Sequence, residues 1–273
     1  MSGIRVRRVR RVRRAARPYA VPVATRTLSG MAPHPPTVGF DLDMTLIDSR
    51  PGIKAAYEEL TARTGTPIDT DLVVSRLGPP LEQELAHWFP AAEVDAVADL
   101  YRELYPRHAI GHTLALPGAR EAVRAVREAG GRAVVVTAKY GPNAELNLAH
   151  LGIEPDAVVG SLWAEEKAQA LRAHGATVYV GDHTGDIRGA RAAGALSVAV
   201  ATGPFGAEEL RAAGADVVLP DLTEFPAWLA GREAQGYRVP GSRASSGAGL
   251  PDPGPGAPEA RDAEPSGPRE FRA

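Results

Sequence analysis

The chain has 273 residues, 44% of them apolar, which is enough for a sizeable core in one larger domain or two smaller ones. It holds no cysteine, which excludes disulfides and thiolate metal sites and fits a reducing, cytoplasmic setting; no unbroken apolar run reaches the roughly 18 residues of a membrane span. The net charge of −2 conceals an asymmetry: residues 1–30 carry nine arginines and no acid, and subtracting these from the 31 basic residues leaves 22 against 33 acidic ones in the rest.

Residues 1–35 form an Arg/Val/Ala arm that runs into a Pro-rich stretch. It lacks the apolar centre of a secretory signal. It reads as disordered or as preceding a true start at Met31, with a transit peptide or an arm for nucleic acid or anionic lipid as the other readings. Six short β-branched runs follow, at 37–42, 132–138, 156–160, 177–182, 196–201 and 215–220. Helical patterns separate the later ones, as in "PGAREAVRAVREAGG" and "NAELNLAHLGI". Continuous apolar strands alternating with helices predict a doubly wound, Rossmann-like α/β domain with a parallel sheet.

Residues 49–115 break that pattern and read as helical throughout. The expected organisation is therefore an α/β core over 36–48 and 116–231, with a helical cap over 49–115 inserted after the first strand. Residues 232–273 are rich in Pro, Gly, Ala and Ser and read as a disordered tail. A cap in that position overhangs the carboxyl ends of the strands, where ligands bind in this architecture.

Chemistry-bearing residues gather at those ends. Asp41 and Asp43 close the first run, and strand alternation would send both side chains the same way. Thr137 closes the second run, and Asp182 and Asp186 lie in "GDHTGD" after the fourth. Lys167 opens the helix before it and is one of only three lysines, with Lys54 and Lys139. An ammonium is a compact point charge that the broad guanidinium fork does not replace. Carboxylates crowded together need a counter-charge, and hard oxygen ligands without thiolates or paired histidines select Mg²⁺. A carboxylate nucleophile beside Mg²⁺ suits phosphoryl transfer through an aspartyl-phosphate, with a hydroxyl, backbone N–H groups and a lysine holding the phosphoryl oxygens.

These residues resemble the haloacid dehalogenase (HAD) superfamily over roughly residues 36–230. "DLDMT" is similar to its first motif, Thr137 in "VVVTAKY" to the second, Lys167 to the third and "GDHTGD" to the fourth. The resemblance implies Asp41 as nucleophile and Mg²⁺ ligand, and Asp43 as general acid/base with its carbonyl on the metal. It implies Thr137 and the Ala138 N–H as phosphate ligands, Lys167 as the neutralising cation, Asp182 as a direct metal ligand and Asp186 as an indirect one. Met44 stands where the family commonly has glycine, with a minor effect on the turn expected. An acid at 43 argues against dehalogenation, and the cap resembles that of phosphoglycolate-phosphatase-like members. Its loop "SRLGPPLEQEL" offers Arg76 and Gly78 as substrate-binding candidates, and Lys139 either touches phosphate or faces solvent.

The reading is a Mg²⁺-dependent phosphatase acting on a small phosphomonoester, phosphoglycolate being one candidate. A phosphomutase and a phosphonate hydrolase using Lys54 share the same core. A non-catalytic nucleic-acid or regulatory protein using the arginine arm is the alternative from another class; neither nucleic acid nor membrane is expected as a partner, and the oligomeric state stays open. Asp48 is expected to cap the first cap helix, His183 to point away from the site, and His87-Trp88-Phe89 to belong to the cap core.

Overall fold

A computed structural model describes residues 35–234. The readings of a disordered arm and tail fall outside that range, except that the last helix continues to Ala234, three residues into the segment assigned to the tail. In chain order, β1 (Thr37–Phe40) and a short β2 (Ile47–Asp48) lead into four helices, α1 (Arg50–Thr64), α2 (Thr70–Ser75), α3 (Leu81–Leu85) and α4 (Val94–His108). β3 (Leu114–Ala115) and α5 (Ala119–Glu128) follow, then β4 (Arg132–Val136), α6 (Gly141–Leu151), β5 (Ala157–Val159) and α7 (Lys167–Ala173). The chain continues through β6 (Val178–Gly181), α8 (Thr184–Ala193), β7 (Leu196–Val200), α9 (Ala207–Ala212), β8 (Val217–Leu219) and α10 (Phe225–Ala234).

Six strands form one sheet in the order β5-β4-β1-β6-β7-β8, and every neighbouring pair is parallel. Helices cover both faces, which is why Val134, Val135, Val136, Val178 and Val180 are all buried instead of alternating. α5 shows the matching helical pattern: Ala119, Ala122, Val123 and Val126 face the core at intervals of three and four residues. The chain steps from β1 to β4 and β5 on one side, then crosses to β6 on the other, so β1 ends at the reversal of strand order. That reversal opens a crevice at the carboxyl ends of the strands. The doubly wound α/β class read from the sequence is the fold observed.

Two details differ from the sequence reading. The strands stop earlier than their apolar runs, β1 at Phe40 and β4 at Val136. Asp41 still takes a ladder bond, its N–H donating to Val180 O at 2.8 Å, but the chain then turns, with Leu42 O accepting from the N–H groups of Thr45, Leu46 and Ile47. Asp43 therefore reaches the crevice by a turn and not by strand alternation. The other detail is that residues 49–115 are not helical throughout, because β3 pairs antiparallel with β2, Ile47 opposite Ala115 and Asp48 opposite Leu114. The chain leaves for the helical segment and returns from it side by side. Such short strands carry no periodicity to read.

α1 to α4 bury a hydrophobic cluster of their own, built from Ile53, Tyr57, Leu60, Leu85, Val97, Tyr101 and Tyr105, separate from the cluster around β1. Asp69 caps α2, its Oδ1 accepting from the N–H groups of Asp71 and Leu72. α1 is entered differently from expectation. Ser49 holds the cap position without a side-chain bond, and Asp48 binds Arg50 instead, at 2.8 Å to its guanidinium and 3.2 Å to its backbone N–H.

Candidate active site

The site is assembled from strand ends that are distant in sequence. Lys167, wholly buried at the start of α7, donates to Asp41 at 3.1 Å, to Asp186 at 2.7 Å and to the Tyr179 hydroxyl at 2.9 Å. Its three protons thus have three acceptors. Tyr179 passes its own proton to Val136 O at 2.6 Å, which ties the lysine to the end of β4. Thr45 donates to Asp182 at 2.8 Å. Carboxylate oxygens of Asp41, Asp182 and Asp186 all lie within 4.8 Å of one another.

Three buried carboxylates face one ammonium, which leaves a surplus of two negative charges. Burial pushes the Asp41 carboxyl up to about 7 against the pull of Lys167. Burial raises Asp182 well above the usual range too, with Asp186 and Asp41 adding to it. Burial would lower Lys167, but Asp186 and Asp41 more than reverse this and hold it charged. A hard oxygen donor set with a deficit of two charges fits one divalent cation.

Two close approaches hold the acids in place. Gly181 has Asp186 packed over it, so an added Cβ would stand 2.4 Å from the Asp186 carboxyl carbon. Real side chains cannot occupy that space, which explains glycine before Asp182. Met44, by contrast, is a non-glycine residue at φ 59°. Its left-handed conformation gives a physical reason for glycine there and costs a larger residue about 1–3 kcal/mol. The Met44 carbonyl accepts from Thr202 at 2.5 Å, and its side chain is buried.

Beside this cluster lies a cavity of about 290 Å³ between the sheet end and the helical segment. Asp41, Asp43, Thr137, Ala138 and Lys139 form its floor, and Arg76, Gly78 and the three tyrosines 57, 101 and 105 belong to its upper wall. Lys139 donates to Asp43 at 2.8 Å and lies 4.5 Å from the centre of the Tyr105 ring. Burial would lower Lys139, and Asp43 and Tyr105 more than offset it, so it stays charged.

The family model described as haloacid dehalogenase-like hydrolase matches residues 38–191, and a second, HAD-hydrolase-like, matches 164–225. The chain belongs to the haloacid dehalogenase-like hydrolase family. A phosphoglycolate phosphatase of Chromobacterium violaceum is 29% identical over 214 residues, 70% of this chain and 95% of that protein. The tyrosine-protein kinase PtkA of Mycobacterium tuberculosis is 29% identical over 192 residues, 65% of this chain, and the match spans just 66% of the kinase. Among solved structures, a haloacid dehalogenase-like family hydrolase from Streptococcus pneumoniae superposes with a TM-score of 0.63 at 24% identity. It covers 71% of this chain and 98% of that one, a likeness of fold.

Within this HAD-like frame, the structure brings together Asp41, Asp182, Asp186 and Lys167 in one cluster, and Asp41, Asp43, Thr137, Ala138, Lys139, Arg76 and Gly78 around one cavity. The Asp43 carboxylate is not in the acid cluster; it holds Lys139. The Lys139 side chain is 9% exposed and turns to Asp43, not to solvent. Arg76 reaches the cavity already bound to Glu84, at 2.5 and 3.0 Å. Lys54 pairs with Asp71 and is absent from the cavity wall. His183 lies between Trp163 and Phe205, at 5.0 and 4.6 Å between ring centres, and its Nδ1 accepts from the Gly185 N–H. Gly78, at φ 135°, packs directly on that imidazole, 2.6 Å from where its Cβ would be. Trp88 packs on the hydrophobic cluster of α1–α4, and Phe89 is buried in it.

Sequence reasoning missed Tyr179, Thr202 and the tyrosine wall. Tyr179 was visible only as an aromatic residue in a buried strand. Thr202 follows β7 in "VATGP", at a strand end like those that carry the other site residues.

Proposed function

We propose that this HAD-family chain is a Mg²⁺-dependent phosphomonoester hydrolase. One observation carries the reading: among the described residues, Asp41 alone belongs to both the acid cluster and the cavity wall. A nucleophile must be held by the charge-stabilising group on one side and meet substrate on the other. Asp41, Asp182 and the backbone carbonyl of Asp43 would hold the cation, with Asp186 behind them. When bound, Mg²⁺ supplies charge stabilisation for the phosphoryl oxygens.

The chain's own residues do the rest. Lys167 keeps Asp41 oriented and offsets its charge, so that an Asp41 oxygen attacks phosphorus in line with the leaving oxygen. The Thr137 hydroxyl and the Ala138 N–H bind the equatorial oxygens. Asp43 gives its proton to the leaving alkoxide, and the aspartyl-phosphate forms as the phosphorus–oxygen ester bond breaks. Asp43, now a carboxylate, takes a proton from water, which attacks phosphorus and releases Asp41 and phosphate. Lys139 holds Asp43 as a carboxylate for the second task, and Asp43 must leave that pair to carry a proton in the first. The helical segment overhangs the site and leaves a cavity of about 290 Å³, which fits a small phosphorylated metabolite.

The phosphonate-hydrolase alternative loses its support because Lys54 lies away from the cavity. A second reading rests on the likeness to the mycobacterial kinase. In it the phosphoryl group on Asp41 passes to a protein hydroxyl in place of water. Hydrolysis of para-nitrophenyl phosphate tests the main reading. Turnover should require Mg²⁺, stop with EDTA and be inhibited by Ca²⁺, whose larger shell misplaces the nucleophile. Undiminished turnover after dialysis against EDTA would remove the metal from the mechanism. Transfer to a tyrosine peptide outpacing transfer to water would favour the second reading.

A further inference from the structure

We propose that the cavity selects phosphomonoesters of uncharged aromatic alcohols over those with an anionic leaving group such as glycolate; this rests on the phosphatase reading of the same site. The cavity of about 290 Å³ is large for a two-carbon leaving group, which would leave its upper half unfilled. That half is walled by a run of rings, Tyr57 against Tyr101 at 4.9 Å and Tyr101 against Tyr105 at 5.7 Å between centres. Aromatic walls gain most from a flat apolar occupant, through offset or edge-to-face contact.

The charges point the same way. The cations of the wall are Arg76, Arg102 and Lys139. Arg76 is bound at both ends to Glu84, Arg102 pairs with Glu82, and Lys139 pairs with Asp43. Glu82 and Glu84 line the cavity beside their partners. On the helical side a leaving-group carboxylate would meet no unpaired arginine and would have to compete with a glutamate held in the same wall. Desolvating it without a partner is costly. An uncharged ring asks nothing of these pairs and covers apolar surface.

The test compares kcat/KM for 1-naphthyl phosphate, phosphoglycolate and acetyl phosphate on the full chain with Mg²⁺. Acetyl phosphate gives the wall almost nothing to hold and so reports the chemistry alone. The naphthyl ester should exceed phosphoglycolate by about tenfold or more, and Tyr101→Leu should lower the naphthyl-to-acetyl ratio by about tenfold, mainly through KM. Glu84→Gln, a near-isosteric change that keeps an acceptor for the Trp88 N–H and leaves the ring wall untouched, should release Arg76 and raise phosphoglycolate relative to the naphthyl ester. Preference for phosphoglycolate in the unaltered protein overturns the proposal, as does a Glu84→Gln variant with an unchanged ratio. If acetyl phosphate is not turned over at all, the phosphatase reading itself falls and takes the proposal with it.

Discussion

The two sides of the site differ in charge balance. On the sheet side, three buried carboxylates surround one lysine and leave a surplus of two negative charges. On the helical side, each arginine has its glutamate and the balance is even. An unbalanced buried cluster is unstable by itself, because burial opposes every uncompensated charge. A bound divalent cation would complete it. A balanced, ring-lined wall needs no ion and discriminates by shape. On the proposed reading, the sheet side carries the chemistry and the helical side the choice of leaving group.

Substitutions on the two sides should therefore differ sharply. The largest effect is expected from Asp41→Asn. Turnover of para-nitrophenyl phosphate should fall below detection, while thermal unfolding in EDTA shifts upward because one buried charge is gone. A melting temperature that drops instead would mean that Asp41 stabilises the metal-free protein, and the two-sided picture would fail. Lys167→Met leaves Asp41 and Asp186 buried without their cation. By analogy with broken buried pairs it should cost about 3–5 kcal/mol in urea unfolding without metal.

Asp43→Asn comes next. General acid–base catalysis is worth about 10²–10⁴-fold. An alkyl phosphate should lose that much, and a nitrophenyl ester, whose leaving group needs little protonation, should lose less in the first step. Equal losses for both would show that Asp43 is not the acid. The smallest change belongs to the helical side. Arg76→Gln breaks a single part-buried pair at the cavity rim and leaves the acid cluster untouched, so stability should fall by clearly less than for Lys167→Met. A loss as large as that of Lys167→Met would erase the contrast between the walls.

The contrast explains what could be read from the sequence. Asp41, Asp43, Lys167 and Asp182 stood out because acids at the ends of apolar runs have no structural motive, and lysine is scarce in this chain. The doubly wound sheet was legible for the same reason that its strands are buried on both faces. The helical wall was not legible. Tyr101 and Tyr105, four apart on α4, look like any apolar stripe, and Arg76 gives no sign that Glu84 neutralises it across a loop. Asp43 was placed with Asp41 by alternation, yet a turn puts it there, because hydrogen bonding within residues 42–47 ends the strand. Tertiary pairing and short turns leave no period in a sequence.

Covalent capture of the phosphoryl group tests the central claim most directly. The Asp43→Asn variant, mixed with para-nitrophenyl phosphate and Mg²⁺ and quenched rapidly in acid, should form the aspartyl-phosphate faster than it is hydrolysed. Peptide mass spectrometry should then find one added phosphoryl group on Asp41, appearing with a burst of nitrophenol and absent when EDTA is included. Steady nitrophenol release with no adduct, or an adduct on any residue other than Asp41, would contradict the account.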